Sequence, residues 1–141
     1  MDIVNMVIEQ TIDYKKRMKY DPKVNEFIET EWDSLAFFKN VPYPYGWLKD
    51  YRTPPDKHLD ILLISEGKYE LGEIITVRII GVFIRIDGDN KLVSVLPERF
   101  ETDYSQLPTE EKEMLSRLYP GKYEGEGWFG LKQAEEIIQN F

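Results

Sequence analysis

The chain has 141 residues, of which 42% are hydrophobic, 13% aromatic and 31% charged, enough apolar material for one domain-sized core. It has no cysteine and one histidine, which excludes a disulfide scaffold, a thiolate zinc site, a cysteine nucleophile and a multi-histidine metal centre. A net charge of −8 repels phosphate backbones and speaks against general nucleic-acid binding. The acidity is uneven: residues 1–58 carry 10 acids and 9 bases, whereas residues 59–141 carry 16 and 9. The start of the chain lacks a basic, then long apolar, signal pattern, and no apolar run approaches the ~20 residues of a membrane span. The expectation is one soluble cytoplasmic domain over 1–141, with no membrane contact.

Ile3 to Thr11 and Glu26 to Phe38 read as strands or hairpin arms, and Pro42, Pro44, Pro54 and Pro55 mark a long irregular connection. Leu59-Asp60-Ile61-Leu62-Leu63-Ile64 is short and aliphatic and predicts a buried strand. Glu73 to Ile86 is dense in β-branched residues and predicts another, with Gly81 marking a bend or bulge. Asp87-Gly88-Asp89-Asn90 is a tight-turn signal, after which Lys91 to Leu96 returns as the antiparallel partner. Thr109 to Tyr119 predicts a helix with acids in its first turn and Pro120-Gly121 behind it. Leu131 to Phe141 predicts a second, with Leu131, Ala134, Ile137, Ile138 and Phe141 at helical spacing.

Asp60 begins a buried strand, and Asp87 and Asp89 sit on the hairpin turn. Should the fold bring those ends together, three carboxylates share a rim, a hard-oxygen set suited to Mg²⁺ or Mn²⁺. Asp-Gly is equally a favoured turn, and an acid at a strand edge often only caps a loop. Tyr43, Tyr45, Trp47 and Tyr51 form either a stacking platform or a packed segment across a barrel mouth. Lys15-Lys16-Arg17-Met18-Lys19 either collects an anion or forms a solvated edge. His58 has no second histidine to work with. Gly125-Glu126-Gly127 lacks the Lys-Ser/Thr of a phosphate loop, and no Gly-x-Ser-x-Gly elbow occurs.

Val41-Pro42-Tyr43-Pro44-Tyr45-Gly46-Trp47, Leu59 to Ile64, Val77-Arg78-Ile79-Ile80-Gly81-Val82-Phe83 and Asp89 to Leu96 together resemble the soluble family I inorganic pyrophosphatases. That family shows Tyr-Pro-x-Asn-Tyr-Gly, a strand led by Asp-x-Asp-Pro-x-Asp, an Arg-x-Ile-Gly-Val strand and an Asp-x-Lys hairpin. The resemblance implies an α+β, mainly β fold: a small five-stranded antiparallel OB-like barrel with two flanking C-terminal helices. It implies Mg²⁺, or Mn²⁺, held by Asp60, Asp87 and Asp89. It assigns phosphate oxygens to Lys19, Lys91 and Tyr119 and the surroundings of the attacking water to Tyr45, with Glu9 and Asp21 near two further family acids. It also implies a homo-oligomer, hexameric in bacterial and archaeal members.

The departures are specific. Two motif acids fall on Pro55 and Lys57, His58 stands at the motif proline, a phosphate-binding arginine falls on Asp33, and a lysine falls on Pro120. An ammonium with a reference pKa near ~10.4 is no base at neutral pH, leaving Asp56 and His58 as stand-ins for the general base. Two readings follow: Mg-dependent hydrolysis of diphosphate or a related phosphoanhydride, weakened or altered; or a non-catalytic metal-, phosphate- or partner-binding protein on the same scaffold. A third reading, nucleic-acid binding, is set against the charge.

Overall fold

The computed structural model describes residues 3–141, so the first two residues of the N-terminal stretch read above lie outside the described residues. Eight strands and three α-helices follow in chain order among the described residues: β1 Ile3–Gln10, β2 Lys16–Asp21, β3 Glu26–Asp33, α1 Leu35–Lys39, β4 Tyr45–Leu48, β5 Asp60–Leu63, β6 Ile74–Ile84, β7 Lys91–Val95, α2 Thr109–Leu118, β8 Gly127–Gly130 and α3 Leu131–Gln139. The main sheet runs β1-β4-β5-β7-β6 and closes because β6 also pairs with β1. The result is the expected five-stranded barrel, with β8 added along β6 and β2–β3 forming a separate hairpin.

Closure follows from the length of β6. Its first residues, Ile74 to Arg78, pair with β1, and Arg78 to Phe83 pair with β7, so one strand serves two neighbours. The register shifts between Ile79 and Gly81, as expected of the glycine, and the extra residue turns the strand. A Cβ at Gly81 would run into the Phe129 carbonyl oxygen of β8, so the close approach of that strand requires glycine. Gly46 is constrained likewise against the Val7 carbonyl of β1. Four barrel pairings are antiparallel; β5 and β7 run parallel, a departure from the all-antiparallel expectation.

Alternation sorts the apolar residues into two cores. Met6, Ile8, Leu48, Ile61, Leu63, Val77, Ile79, Val82 and Leu92 form one cluster, which Ala134 and Ile138 of α3 join. Tyr43, Tyr45, Leu62, Ile64, Ile80, Val93 and Val95 form the other, covered by Leu115 and Leu118 of α2. Truncating a fully buried member such as Ile61 to alanine costs on the order of 2–5 kcal/mol. The predicted arm Glu26 to Phe38 divides at Ser34, whose side chain accepts from the Phe37 amide and caps α1. No helix among the described residues is long and apolar enough to cross a membrane.

Candidate functional site

The parallel pairing of β5 with β7 sets Asp60 directly beside Lys91. Lys91 Nζ lies 2.7 Å from Asp60 Oδ2 and 3.0 Å from Asp89 Oδ1, and it donates to the Tyr45 hydroxyl at 3.1 Å. On the other side of Asp60, His58 Nε2 stands 3.0 Å from Oδ1. His58 Nδ1 meets the Asp56 carbonyl oxygen at 2.8 Å. Both partners of the imidazole are acceptors only, so making both bonds requires a proton on each nitrogen. The contact with Asp60 favours the protonated imidazole, and in that form His58 is a cation that fixes Asp60.

The electrostatics agree. Burial pushes the Asp60 carboxyl up, but the bonds from His58 and Lys91 outweigh it and hold the group well below the usual carboxylate range. The bond to Asp60 raises His58, against a smaller opposing effect of burial. Burial first, and then the charge of Asp60, raise Tyr45 far above an ordinary phenol against the opposing charge of Arg17, so its hydroxyl keeps its proton. Burial likewise raises Tyr119, which stacks on Phe83 at 5.2 Å between ring centroids.

These groups line a cleft of about 700 Å³. Arg17, Lys19, Lys57, Arg85 and Lys91 line it, against Glu9, Asp56, Asp60 and Asp89. Five Lys and Arg side chains thus face four carboxylates on a chain whose net charge is −8, and His58 adds a further cation when protonated. Arg17 lies with its guanidinium carbon 5.2 Å from the Tyr45 ring centroid, and Glu9 is buried close by. Burial raises Glu9 above the usual carboxylate range despite the opposing charge of Arg17; its hydrogen bond from the Tyr20 amide is long, at 3.4 Å.

Of the residues singled out by sequence, Tyr45, Asp56, His58, Lys19, Lys91, Tyr119, Asp60 and Asp89 are all brought to this cleft. Asp87 is not: its carboxylate lies 2.9 Å from Arg85 Nη2 and accepts from the Asp89 amide, as a turn residue would. Asp21 accepts from the Lys23 amide at the hairpin turn, and Asp33 pairs with Lys16 at 2.8 Å; neither lines the cleft. The aromatic series is packed rather than presented: Tyr43 and Trp47 are buried, and Tyr51 packs edge-on against Phe141. The basic cluster lies on β2, where Arg17 and Lys19 line the cleft.

A model of the inorganic pyrophosphatase family matches residues 6–141. The chain belongs to that family. An inorganic pyrophosphatase of Sulfolobus acidocaldarius is 28% identical, aligned over 98% of this chain and 88% of its own. The crystal structure of inorganic pyrophosphatase from Ehrlichia chaffeensis superposes with a TM-score of 0.74 at 21% identity, over 98% of this chain and 92% of that one. A truncated Trypanosoma cruzi vacuolar soluble pyrophosphatase, solved in complex with PPi, gives 0.63 at 17% identity over 99% of this chain and 67% of that one.

For this pyrophosphatase-family chain the divalent-metal question is one of donor chemistry. Among the described residues no group of three His, Cys, Asp or Glu side chains is placed to hold an ion. Asp60 and Asp89 nevertheless converge on one point, occupied by the Lys91 ammonium. Magnesium is ordinarily bound by one or two carboxylates together with waters and substrate phosphates, so this pair could hold one hydrated cation only with the Lys91 ammonium displaced from between the two carboxylates. It does not form a multi-carboxylate cage.

Proposed function

We propose that this chain hydrolyses inorganic diphosphate, presented as its Mg²⁺ or Mn²⁺ salt, to phosphate, at a weakened rate. The observation that carries the reading is the convergence of Arg17, Lys57, Lys91 and His58 on one cleft of a strongly acidic protein. Arg17, Lys19 and Lys91 hold phosphate oxygens, and the Tyr45 and Tyr119 hydroxyls donate to the same anion. Fixed cations and donors of this kind favour the charge that builds up as the bridging bond breaks. With Lys91 turned to a phosphate oxygen, Asp60 and Asp89 would hold a divalent cation carried by the substrate, which would supply further positive charge and acidify a water. His58 is a positioning residue that keeps Asp60 ionised and aimed. Glu9 and Asp56 are the cleft carboxylates outside the Lys91 and His58 ion pairs, and either can take the proton of the attacking water. Lys57 reduces the turnover because it places an ammonium where an acceptor is needed.

The same reading makes residues 1–141 one domain, working in the cytoplasm as a homo-oligomer, hexameric in the manner the resemblance implies. Lys57 also favours a second reading, in which the cleft binds diphosphate without splitting it. Phosphate release from diphosphate with Mg²⁺, Mn²⁺ or EDTA, alongside Asp60→Asn, separates the two. Metal-dependent release lost in Asp60→Asn is the expected result. Diphosphate binding without release by folded protein supports the second reading, and release unaffected by both EDTA and Asp60→Asn rejects the proposal.

A further inference from the structure

The cleft has two parts of different chemistry. Its floor, the charged group around Arg17, Asp60 and Lys91, is buried or half-buried, whereas its outer wall, Trp32, Leu35 and Pro55, is exposed. Trp32 is 58% exposed on β3 and lines this cleft, so its indole is open to a ligand there. Lys19 Nζ stands 5.9 Å from the Trp32 ring centroid, so a cation and a flat aromatic face adjoin at the lip of the cleft. The next residue, Asp33, is drawn off to Lys16 at 2.8 Å and is not part of the wall. The cleft volume, about 700 Å³, lies in the range of pockets that enclose whole organic ligands. An inorganic diphosphate leaves much of that space to water.

We propose that the cleft also takes nucleoside diphosphates, with the phosphates on Arg17, Lys19 and Lys91 and the base stacked on Trp32. The proposal rests on the reading of the floor as a diphosphate grip. Charge complementarity selects the anionic end. The wall selects the other end: a purine or pyrimidine stacks on one open aromatic face while its polar edge stays in water. An alkyl diphosphate is the poorer match, because a chain without polar edges needs an enclosed apolar channel, and this wall is open on the Trp32 side.

The test uses the exposed indole as its own reporter. Adenosine diphosphate, inorganic diphosphate (as its non-hydrolysable imido analogue) and geranyl diphosphate are titrated, in buffer containing Mg²⁺, into the full chain and into Trp32→Ala and Trp32→Phe. Binding is read calorimetrically and by tryptophan fluorescence, with circular dichroism to verify folding. Adenosine diphosphate is expected to quench the fluorescence and to bind roughly tenfold more weakly to Trp32→Ala, with affinity recovered in Trp32→Phe. Inorganic diphosphate is expected to bind all three proteins alike. The proposal is overturned by adenosine diphosphate binding that ignores Trp32→Ala, by geranyl diphosphate binding as tightly, or by binding of inorganic diphosphate alone. Failure of every ligand, inorganic diphosphate included, overturns the diphosphate grip as well.

Discussion

Two charged clusters in this molecule look alike in composition and differ in what they leave unfinished. In the first, Arg99 bonds Glu101 through Nε and Nη2 at 3.0 and 2.8 Å and Glu111 through Nη1 and Nη2 at 2.9 and 2.6 Å. The Arg99 carbonyl accepts from Arg78, so the segment after β7 is tied both to α2 and to β6. Those bonds to both glutamates raise Arg99 and lower Glu101, and the cluster lines none of the clefts described. In the second, Asp60 is likewise held by two cations, but Arg17, Lys19 and Lys57 face the same space in excess of the acids available. The first cluster is satisfied and holds the fold. The second carries surplus positive charge into a cavity and is fit to receive an anion.

Exchanging single members tests this contrast. The largest effect on activity is expected from Lys91→Met, which removes a phosphate contact and leaves Asp60 without its short ammonium partner. Phosphate release should fall by roughly 100- to 1,000-fold, with stability reduced by several kcal/mol in urea melts. Arg99→Ala should cost a comparable ~3–5 kcal/mol of stability while the folded fraction keeps its kcat, because that cluster lines none of the clefts described. Equal losses of kcat in the two variants would erase the distinction between them.

A smaller effect comes from pH. His58 has its pKa raised, so the stability from its bond to Asp60 is fully present below about pH 6.5 and is lost as pH rises through the raised value. The difference in unfolding midpoint between wild type and His58→Asn should therefore be largest in mild acid and shrink in alkali. Asp60, being lowered, keeps its contribution above the ordinary carboxylate value and loses it only in strong acid. A difference that grows with pH would mean that His58 is neutral. The smallest effect is expected at Asp87→Asn, less than about twofold on phosphate release, where Asp89→Asn costs about tenfold or more. The exposed pair of Asp87 with Arg85 is worth little in stability either.

Much of this contrast was legible in the residues, and the parts that were not have physical causes. The strands β5, β6 and β7 announce themselves because each is a dense aliphatic or β-branched run, and α2 and α3 because their apolar spacing is helical. The strand β4 is four residues long, follows Pro42 and Pro44, and is rich in aromatic side chains, so it resembles a loop until its neighbours are known. The parallel pairing of β5 with β7 joins strands on either side of β6, and nothing local signals it. In the site, Asp60, Lys91 and Tyr45 are fixed by their strands. Arg17 was legible only as one of the basic cluster Lys15 to Lys19; β2 shifts register against β3 between Lys16 and Met18, so the chain alone does not say which of these cations reach the cleft. Asp87 was over-read: its spacing suits a ligand, while its backbone partners are those of a turn.

The central claim is that surplus cations in the cleft, rather than charge in general, receive the diphosphate. Calorimetric titration of the non-hydrolysable analogue imidodiphosphate into wild type, Arg17→Ala and Arg99→Lys tests it most directly. One site on wild type, weakened at least tenfold by Arg17→Ala and unchanged by Arg99→Lys, is the predicted result. Absence of binding to wild type, or binding that Arg17→Ala leaves intact, would contradict it.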